Sequence, residues 1–155
     1  MKITCAFICL FCLGTWLLLG THVSFNASSS LPYEGFFCIK YLDVQRGDLV
    51  CLRGHETAYA PGAVLTKRLI GLPGDRISRK GRSVFVNDTF VGKLRPKTRD
   101  GRPLTPLQNG IIPQGFVFVG ADHPRSFDSR YREFGLVDQN CIQGRCFGVF
   151  RKQTS

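Results

Sequence analysis

The chain begins with one long apolar run. Residues 3–25 contain no Asp, Glu, Lys or Arg, and as a helix they would be about 34 Å long, enough to cross the hydrocarbon core of a bilayer. We therefore predict an N-terminal transmembrane anchor over residues 1–25, in contact with lipid through residues 3–25. A cleaved signal peptide is the alternative, because the stretch SFNAS offers weak small-residue cleavage sites.

The pattern changes after residue 25. Short runs of branched and aromatic residues alternate with Gly, Pro, Asn and Asp, which is typical of strands joined by turns. The predicted strands are GFFCIKYL (35–42), GDLVCLR (47–53), AVLTKRLIGL (63–72), three strands within DRISRKGRSVFVNDTFVGKL (75–94), GFVFVG (115–120) and IQGRCFGVF (142–150). We predict one mostly antiparallel β domain over residues 26–155, in which 47–53 is the neighbour of 35–42 and the polar, Pro-rich residues 95–110 lie on the surface.

The chain is strongly basic, with a formal net charge of +10. Such a charge suits nucleic acid or an anionic membrane surface. However, the basic residues are spread along the chain and no basic motif interleaved with aromatic residues occurs, so we expect no nucleic-acid partner. Long domains cross a membrane largely regardless of their charge. Lys2 therefore predicts a cytoplasmic N-terminus, with the β domain in the periplasm or outside the cell.

The cysteines give a weaker signal. Cys141 and Cys146 flank the turn-like stretch IQGR in a compartment that permits oxidation, so a disulfide between them is one possibility and two thiols the other. No set of ligands with the spacing of a metal site lies nearby, and the stretch HETAY has Tyr59 where a zinc helix needs its second histidine. We expect no metal and no cofactor.

One lysine has surroundings that suit a catalytic base. A lysine can activate a serine only when it is uncharged near pH 7, far below its usual pKa of about 10.4, and burial among apolar groups lowers the pKa in that direction. Lys67 lies in the aliphatic run AVLTKRLIGL. The alternative is a solvated lysine on an exposed strand face, which is where most strand lysines lie.

Several stretches together resemble the type I signal peptidases. TKRLIGLPGD (66–75) resembles the lysine box of that family, RGDLV (46–50) its Arg-Gly-Asp strand, and SFDSRYREFG (126–135) its Ser-x-Asp-Ser-Arg box. These stretches occur in the family's order and cover most of the body. The run Ser30-Leu31-Pro32 has its proline two residues after the serine, as in the conjugative-transfer (TraF-type) branch of the family.

The resemblance implies a serine endopeptidase of mostly β, signal-peptidase-like fold with a Ser–Lys dyad. Ser30 matches the nucleophile and Lys67 the general base that takes its proton. Ser28 matches the position whose hydroxyl helps the Ser30 backbone N–H bind the oxyanion, and a linker serine is the alternative there.

The box at 126–135 implies supporting roles. Ser126 matches the serine that orients the lysine amine, and Asp128 and Arg130 match an ion pair beneath the site. The stretch GADHPR departs from the Gly-Asp-Asn of many relatives, which leaves the role of Asp122 open.

The resemblance also implies a substrate and a location. The partner would be an exported precursor protein, a pilin in a conjugative system, cleaved by a single-pass protein of the bacterial inner membrane whose catalytic domain lies in the periplasm. The residues leave open whether water or the substrate's own amine resolves the acyl-enzyme. A general leader peptidase and a non-catalytic, membrane-anchored assembly module are the alternative functions.

Overall fold

The structure is a computed structural model that describes residue 14, residues 20–25, residues 30–40 and residues 42–151. Most of the predicted anchor lies outside these residues. Its last five residues, Thr21–Phe25, form a strand that pairs with Tyr33–Lys40, so the anchor's predicted boundary at residue 25 is wrong. Within the described part of the chain, no helix has both the length and the apolar composition that a membrane crossing needs.

The described residues form eleven strands and one short 3-10 helix. The strands are β1 (Thr21–Phe25), β2 (Tyr33–Lys40), β3 (Leu49–Leu52), β4 (Leu65–Gly71), β5 (Arg76–Lys80), β6 (Ser83–Val86), β7 (Thr89–Lys93), β8 (Gly110–Ile111), β9 (Phe116–Gly120), β10 (Val137–Asp138) and β11 (Ile142–Arg151), with the helix at Gln139–Cys141 before β11. All strand pairs are antiparallel, which confirms the predicted mostly antiparallel β class.

Two sheets make up the domain. One has seven strands in the order β1-β2-β11-β3-β4-β9-β10, and the other has four in the order β7-β6-β5-β8. The predicted hairpins of the smaller sheet are present. Asn87 and Asp88 make the turn between β6 and β7 with φ of 46° and 64°, values that Asn and Asp tolerate better than most residues.

The predicted pairing of β2 with β3 is wrong, because β11 lies between them. Phe147 of β11 pairs with Phe37 of β2, and Arg145 pairs with Val50 of β3. β11 and β2 lie so close together at this point that a Cβ on Gly144 would collide with the carbonyl oxygen of Ile39. A glycine in β11 is therefore needed for the strand to fit between its two neighbours.

The same pairing decides the disulfide. Cys146 lies opposite Cys38 in the β11–β2 register, and the two form a disulfide with a Cα–Cα distance of 4.0 Å. Cys141, in the short helix before β11, is a free thiol. Of the two alternatives that the sequence left open, the Cys141–Cys146 disulfide is not formed, because strand pairing and not closeness in sequence brings the sulfurs together.

Three buried clusters hold the domain together. The first fills the larger sheet around Val50, Leu69 and Phe134. The second joins the two sheets and includes Phe118 of β9, Ile77 of β5 and Tyr131, with Leu104 and Leu107 of the Pro-rich segment packed against it. The third contains Leu31, the residue after Ser30, packed with Cys38, Cys51 and Cys146. Burial of this kind contributes about 25 cal/mol per Å² of apolar surface.

Candidate active site

Strand β4 points its alternate residues to opposite faces. Lys67, Leu69 and Gly71 are buried and Arg68 is half-buried, as the period-two geometry of a strand requires. β4 lies inside the larger sheet, between β3 and β9, and Lys67 is paired with Val50. Only 5% of Lys67 is exposed, so the alternative of a solvated lysine on an open strand face is wrong.

The amine of Lys67 lies in apolar surroundings with a neutral hydrogen-bond partner. Its Nζ donates to Ser126 Oγ at 3.1 Å and lies 5.9 Å from the centre of the Phe134 ring. Burial lowers the pKa of Lys67 below its ordinary value, and Asp128 opposes this shift without cancelling it. Because this shift favours the neutral form of the amine, Lys67 is suited to act as a base.

The nearest carboxylate in the sequence does not face this lysine. Asp75 accepts hydrogen bonds from the Arg46 guanidinium at 2.6 and 3.1 Å and from the backbone N–H of Leu72 at 2.6 Å. These bonds close the turn after β4 and hold the pKa of Asp75 below its usual value. The carboxylate that acts on Lys67 is Asp128, 61 residues away in sequence.

The loop of residues 122–126 is held at both ends by neighbouring residues of β4. Arg68 donates to both carboxylate oxygens of Asp122, at 3.0 and 2.9 Å, while Lys67 binds Ser126 from the other face. This ion pair answers the question that the sequence left open about Asp122. The loop is thereby fixed against β4 at Asp122 and at Ser126.

Ser30 is hydrogen-bonded to that loop through its backbone. The backbone N–H of His123 donates to the carbonyl oxygen of Ser30 at 3.1 Å, and the N–H of Ser126 donates to the carbonyl of His123 at 3.0 Å. Ser30 itself is half-buried, and Leu31 beside it is 2% exposed. The structure therefore brings the Ser30 backbone to the same loop whose Ser126 binds the Lys67 amine.

Asp128 and Arg130 form a buried ion pair directly after this loop. Their side chains are 0% and 2% exposed, and Arg130 donates to both carboxylate oxygens at 2.8 and 2.9 Å. Arg130 also donates to the Ser126 carbonyl oxygen at 3.0 Å. The pair implied by the resemblance is present, and it supports the backbone of Ser126 from below. Ser28, the predicted oxyanion residue, lies outside the described residues, so its role stays a prediction.

One residue near the site was missed. His55 is buried, its Nε2 lies 3.0 Å from the Phe134 carbonyl oxygen, and its ring packs on the Phe134 ring with centroids 4.8 Å apart. It therefore fixes the aromatic ring that faces Lys67. The stretch HETAY contains this histidine, but nothing in its local pattern predicts a contact with Phe134, 79 positions away. Among the described residues, no group of three His, Cys, Asp or Glu side chains is placed to hold a metal ion.

Comparison with known proteins identifies the family. The model described as "Signal peptidase, peptidase S26" matches residues 1–150. The chain therefore belongs to the signal peptidase family, and this membership supports a serine peptidase.

Relatives from two groups are similar to the chain. Conjugal transfer protein TraF of Agrobacterium fabrum is 32% identical over 124 residues, which cover 69% of this chain and 69% of that protein. Signal peptidase I of Bacillus licheniformis is 31% identical over 121 residues, 72% of this chain and 62% of that protein. Signal peptidase I P of Bacillus subtilis subsp. natto is 50% identical over 117 residues, 68% of this chain and 60% of that protein.

A solved structure is also similar. The signal peptidase I from Enterococcus faecalis is 27% identical, with a TM-score of 0.43 and coverage of 66% of this chain and 96% of that one.

Proposed function

We propose that the protein is a membrane-anchored serine endopeptidase that cleaves exported precursor proteins with a Ser30–Lys67 dyad. The observation that carries this proposal is the buried amine of Lys67, whose pKa is lowered by its apolar surroundings and whose hydrogen-bond partner is the neutral hydroxyl of Ser126. A charged lysine in such a place would be costly, so the neutral form is favoured there.

The chemistry follows from that protonation state. Lys67 Nζ takes the proton of Ser30 Oγ as the oxygen attacks the scissile carbonyl carbon, and it returns the proton to the leaving amine. Ser126 keeps the amine in position, and the Asp128–Arg130 pair keeps Ser126 in position. Ser28 and the Ser30 N–H would bind the oxyanion. Water, or an amine of the substrate, then takes the acyl group from Ser30.

The anchor is proposed with a shorter span than the sequence first indicated. Since Thr21–Phe25 form β1, the uncharged residues before them, 3–20, would be the crossing segment. As a helix they would be about 27 Å long, close to the thickness of the hydrocarbon core. The β domain would lie in the periplasm, on the outer side of the bacterial inner membrane, where precursor proteins emerge. A reporter fused after Ser155 that is active only in the periplasm would test this orientation.

The names of the two groups of relatives favour different substrate classes. The Agrobacterium relative bears the name of a conjugal transfer protein, which favours a dedicated enzyme for a pilin-like precursor. The Bacillus relatives are named signal peptidase I, which favours a general leader peptidase. A panel of unrelated preproteins and pilin precursors, incubated with the full-length protein in detergent, separates these two functions by the number of substrates cut. Mass spectrometry of the product shows whether its ends are free or joined.

Two variants test the dyad. Ser30→Ala and Lys67→Ala should each lower the rate of precursor cleavage by about 10³-fold or more. The reason is that the two residues of a dyad act as one unit, so that losing either one removes most of its catalytic effect. Ser29→Ala and Lys80→Ala are matched controls, because Ser29 is the neighbouring serine and Lys80 is exposed on β5. Cleavage that persists in both Ser30→Ala and Lys67→Ala would contradict the proposed dyad and favour the alternative function, a non-catalytic assembly module.

A further inference from the structure

A cationic groove of about 440 Å³ lies at one end of the smaller sheet. Arg79 and Arg82, on either side of the β5–β6 turn, form one wall, and Arg95, just after β7, forms another. Leu94 and Leu104 supply an apolar floor. No acidic side chain is among its lining residues. The groove therefore presents guanidinium groups around a hydrophobic base.

These arginines are not neutralised within the described part of the chain, where no carboxylate lies within ion-pair distance of Arg79, Arg82 or Arg95. Arg82 is nevertheless held in place, since its Nε and Nη2 donate to the carbonyl oxygen of Leu94 at 3.0 and 2.7 Å. A fixed guanidinium loses less conformational entropy when it binds a carboxylate.

Two hydrogen bonds link residues at the groove to Arg130 and Tyr131, which follow the loop of residues 122–126. Arg130, the partner of Asp128, donates through Nη1 to the carbonyl of Lys93, one residue before the groove begins. The N–H of Arg95 donates to the hydroxyl of Tyr131. The positive field also extends to His123, whose pKa is lowered by burial and then by arginines that include Arg99, Arg125 and Arg95. The N–H of that histidine binds Ser30.

We propose that this groove binds an acidic segment of the precursor, so that substrates with clustered Asp or Glu residues near the cleavage site are preferred. The inference rests on the proposed function, since it assigns a substrate class to the same site. Carboxylates pair bidentately with guanidinium groups, and the apolar floor accommodates the aliphatic parts of an extended peptide. An anionic lipid is less suited, because the groove is on the sheet that packs against β9, while the proposed anchor leads into β1 at the far edge of the larger sheet.

The test uses paired substrates. The precursor that the full-length protein cleaves is prepared with Glu-Glu-Glu or Gln-Gln-Gln at one position, moved in steps to either side of the cleavage site. At the best position, kcat/KM for the Glu form should exceed that for the Gln form by about tenfold through KM, since exposed charge pairs each contribute modestly. Arg79→Gln combined with Arg95→Gln should bring this ratio close to one. Both side chains can be changed without removing the Arg82–Leu94 hydrogen bonds.

The matched control is Arg53→Gln combined with Arg151→Gln, two exposed arginines outside the groove. This control removes the same charge and should keep the full preference and the wild-type rates. An equal loss of preference in both double variants would overturn the proposal in favour of general attraction by a basic protein. A Glu-to-Gln ratio of one at every position in the wild type would overturn it outright.

A binding arm separates this inference from the proposed function. If no precursor is cleaved, fluorescein-labelled peptides with Glu-Glu-Glu or Gln-Gln-Gln are titrated against the full-length Ser30→Ala variant and followed by anisotropy. Tighter binding of the Glu peptide that depends on Arg79 and Arg95 supports the groove although the catalytic proposal has failed. Equal binding of the two peptides overturns it. Phosphatidylglycerol vesicles form a third arm, and groove-dependent binding of vesicles without any effect of acidic peptide would assign the groove to lipid and overturn the proposal.

Discussion

The Nζ of Lys67 and the Oγ of Ser126 lie 3.1 Å apart, although 59 residues separate them in sequence. Lys67 reaches this contact from an inner strand of the larger sheet, and Ser126 from a loop that also holds the backbone of Ser30. A change at either partner should therefore alter the protonation or the orientation of the same amine. The first three predictions use this relationship.

Cleavage should follow the titration of Lys67. The base acts only when neutral, and burial lowers its pKa, so kcat/KM should rise with pH through an apparent pKa well below the usual lysine value of about 10.4. Rates of precursor cleavage between pH 5 and about 10.5 measure this. A rate that rises only near the value of free lysine would contradict the assignment of Lys67 as the base.

Replacing Lys67 with methionine should abolish cleavage and yet stabilise the fold. Burial disfavours the charged form of the native lysine relative to the unfolded one, so folding below the unfolded pKa carries a cost that an apolar side chain of similar length avoids. We expect a gain in the free energy of unfolding of about 1–4 kcal/mol at pH 7. Because wild-type stability rises with pH between the native and the unfolded pKa, the gain should shrink as the pH approaches about 10.4. Urea unfolding at several pH values measures it, and a variant that is less stable than the wild type at pH 7 would refute the argument.

Removing the Ser126 hydroxyl should slow cleavage by misplacing the amine. We expect Ser126→Ala to lower kcat by about 10²-fold with little change in KM, because a misplaced catalytic group costs that much. Ser129→Ala is a matched control, since Ser129 is equally buried in the same segment but its Oγ accepts from the Val119 N–H. The control should lose stability without the selective loss of kcat. Steady-state kinetics and thermal melting of both variants distinguish misorientation of Lys67 from a general loss of stability. Equal losses of kcat in the two variants would contradict the role of Ser126.

The strands of the body could be predicted because each is a branched or aromatic run closed by turn residues. β4, β6 and β9 all lie within their predicted stretches. The order of the strands could not, because the insertion of β11 between β2 and β3 depends on contacts about 100 residues apart, which no local pattern encodes. The Cys38–Cys146 disulfide was not anticipated for the same reason. β1 was not predicted because the apolar residues 3–20 continue into THVSF (21–25) without a charged residue between them. The branched and aromatic residues of THVSF favour a strand.

The candidate site was predicted from the family resemblance more than from the pattern. Thr66, Lys67 and Arg68 are three polar residues in a row, so periodicity alone gave Lys67 no preferred face. Aliphatic residues flank them on both faces of the strand, with Leu65 and Leu69 on the face of Lys67 and Val64 and Ile70 on the other. The partner of Asp122 could not be predicted, since the ion pair with Arg68 joins residues 54 positions apart.

Releasing the Arg68–Asp122 ion pair should reduce activity more than stability. Both side chains are partly exposed, at 32% and 42%, so Arg68→Gln should cost no more than about 1 kcal/mol of unfolding free energy. The pair nevertheless holds the loop whose His123 N–H binds the Ser30 carbonyl.

We therefore expect kcat to fall by about tenfold or more, as small misplacements of a nucleophile are costly. Arg76→Gln, which removes the exposed pair with Asp88, is the control and should leave kcat unchanged. Asp122→Asn should resemble Arg68→Gln, and the double variant should be no worse than either single variant. Additive losses in the double variant would show that the two residues act separately.

Opening the Cys38–Cys146 disulfide should destabilise the segment that carries Ser30. The bond closes a loop with a sequence separation of 108, and the chain-entropy treatment of such a loop gives a stabilisation of about 4–5 kcal/mol. Leu31 packs in the same buried cluster, so activity should be lost at lower urea concentration than in the oxidised protein. Dithiothreitol treatment and Cys38→Ala combined with Cys146→Ala should give the same loss.

Cys141→Ala is the control and should change neither stability nor the non-reducing peptide map. A peptide map that joins Cys141 to Cys146 would contradict the Cys38–Cys146 pairing. A reduced protein as stable as the oxidised one would contradict the stabilising role of the disulfide.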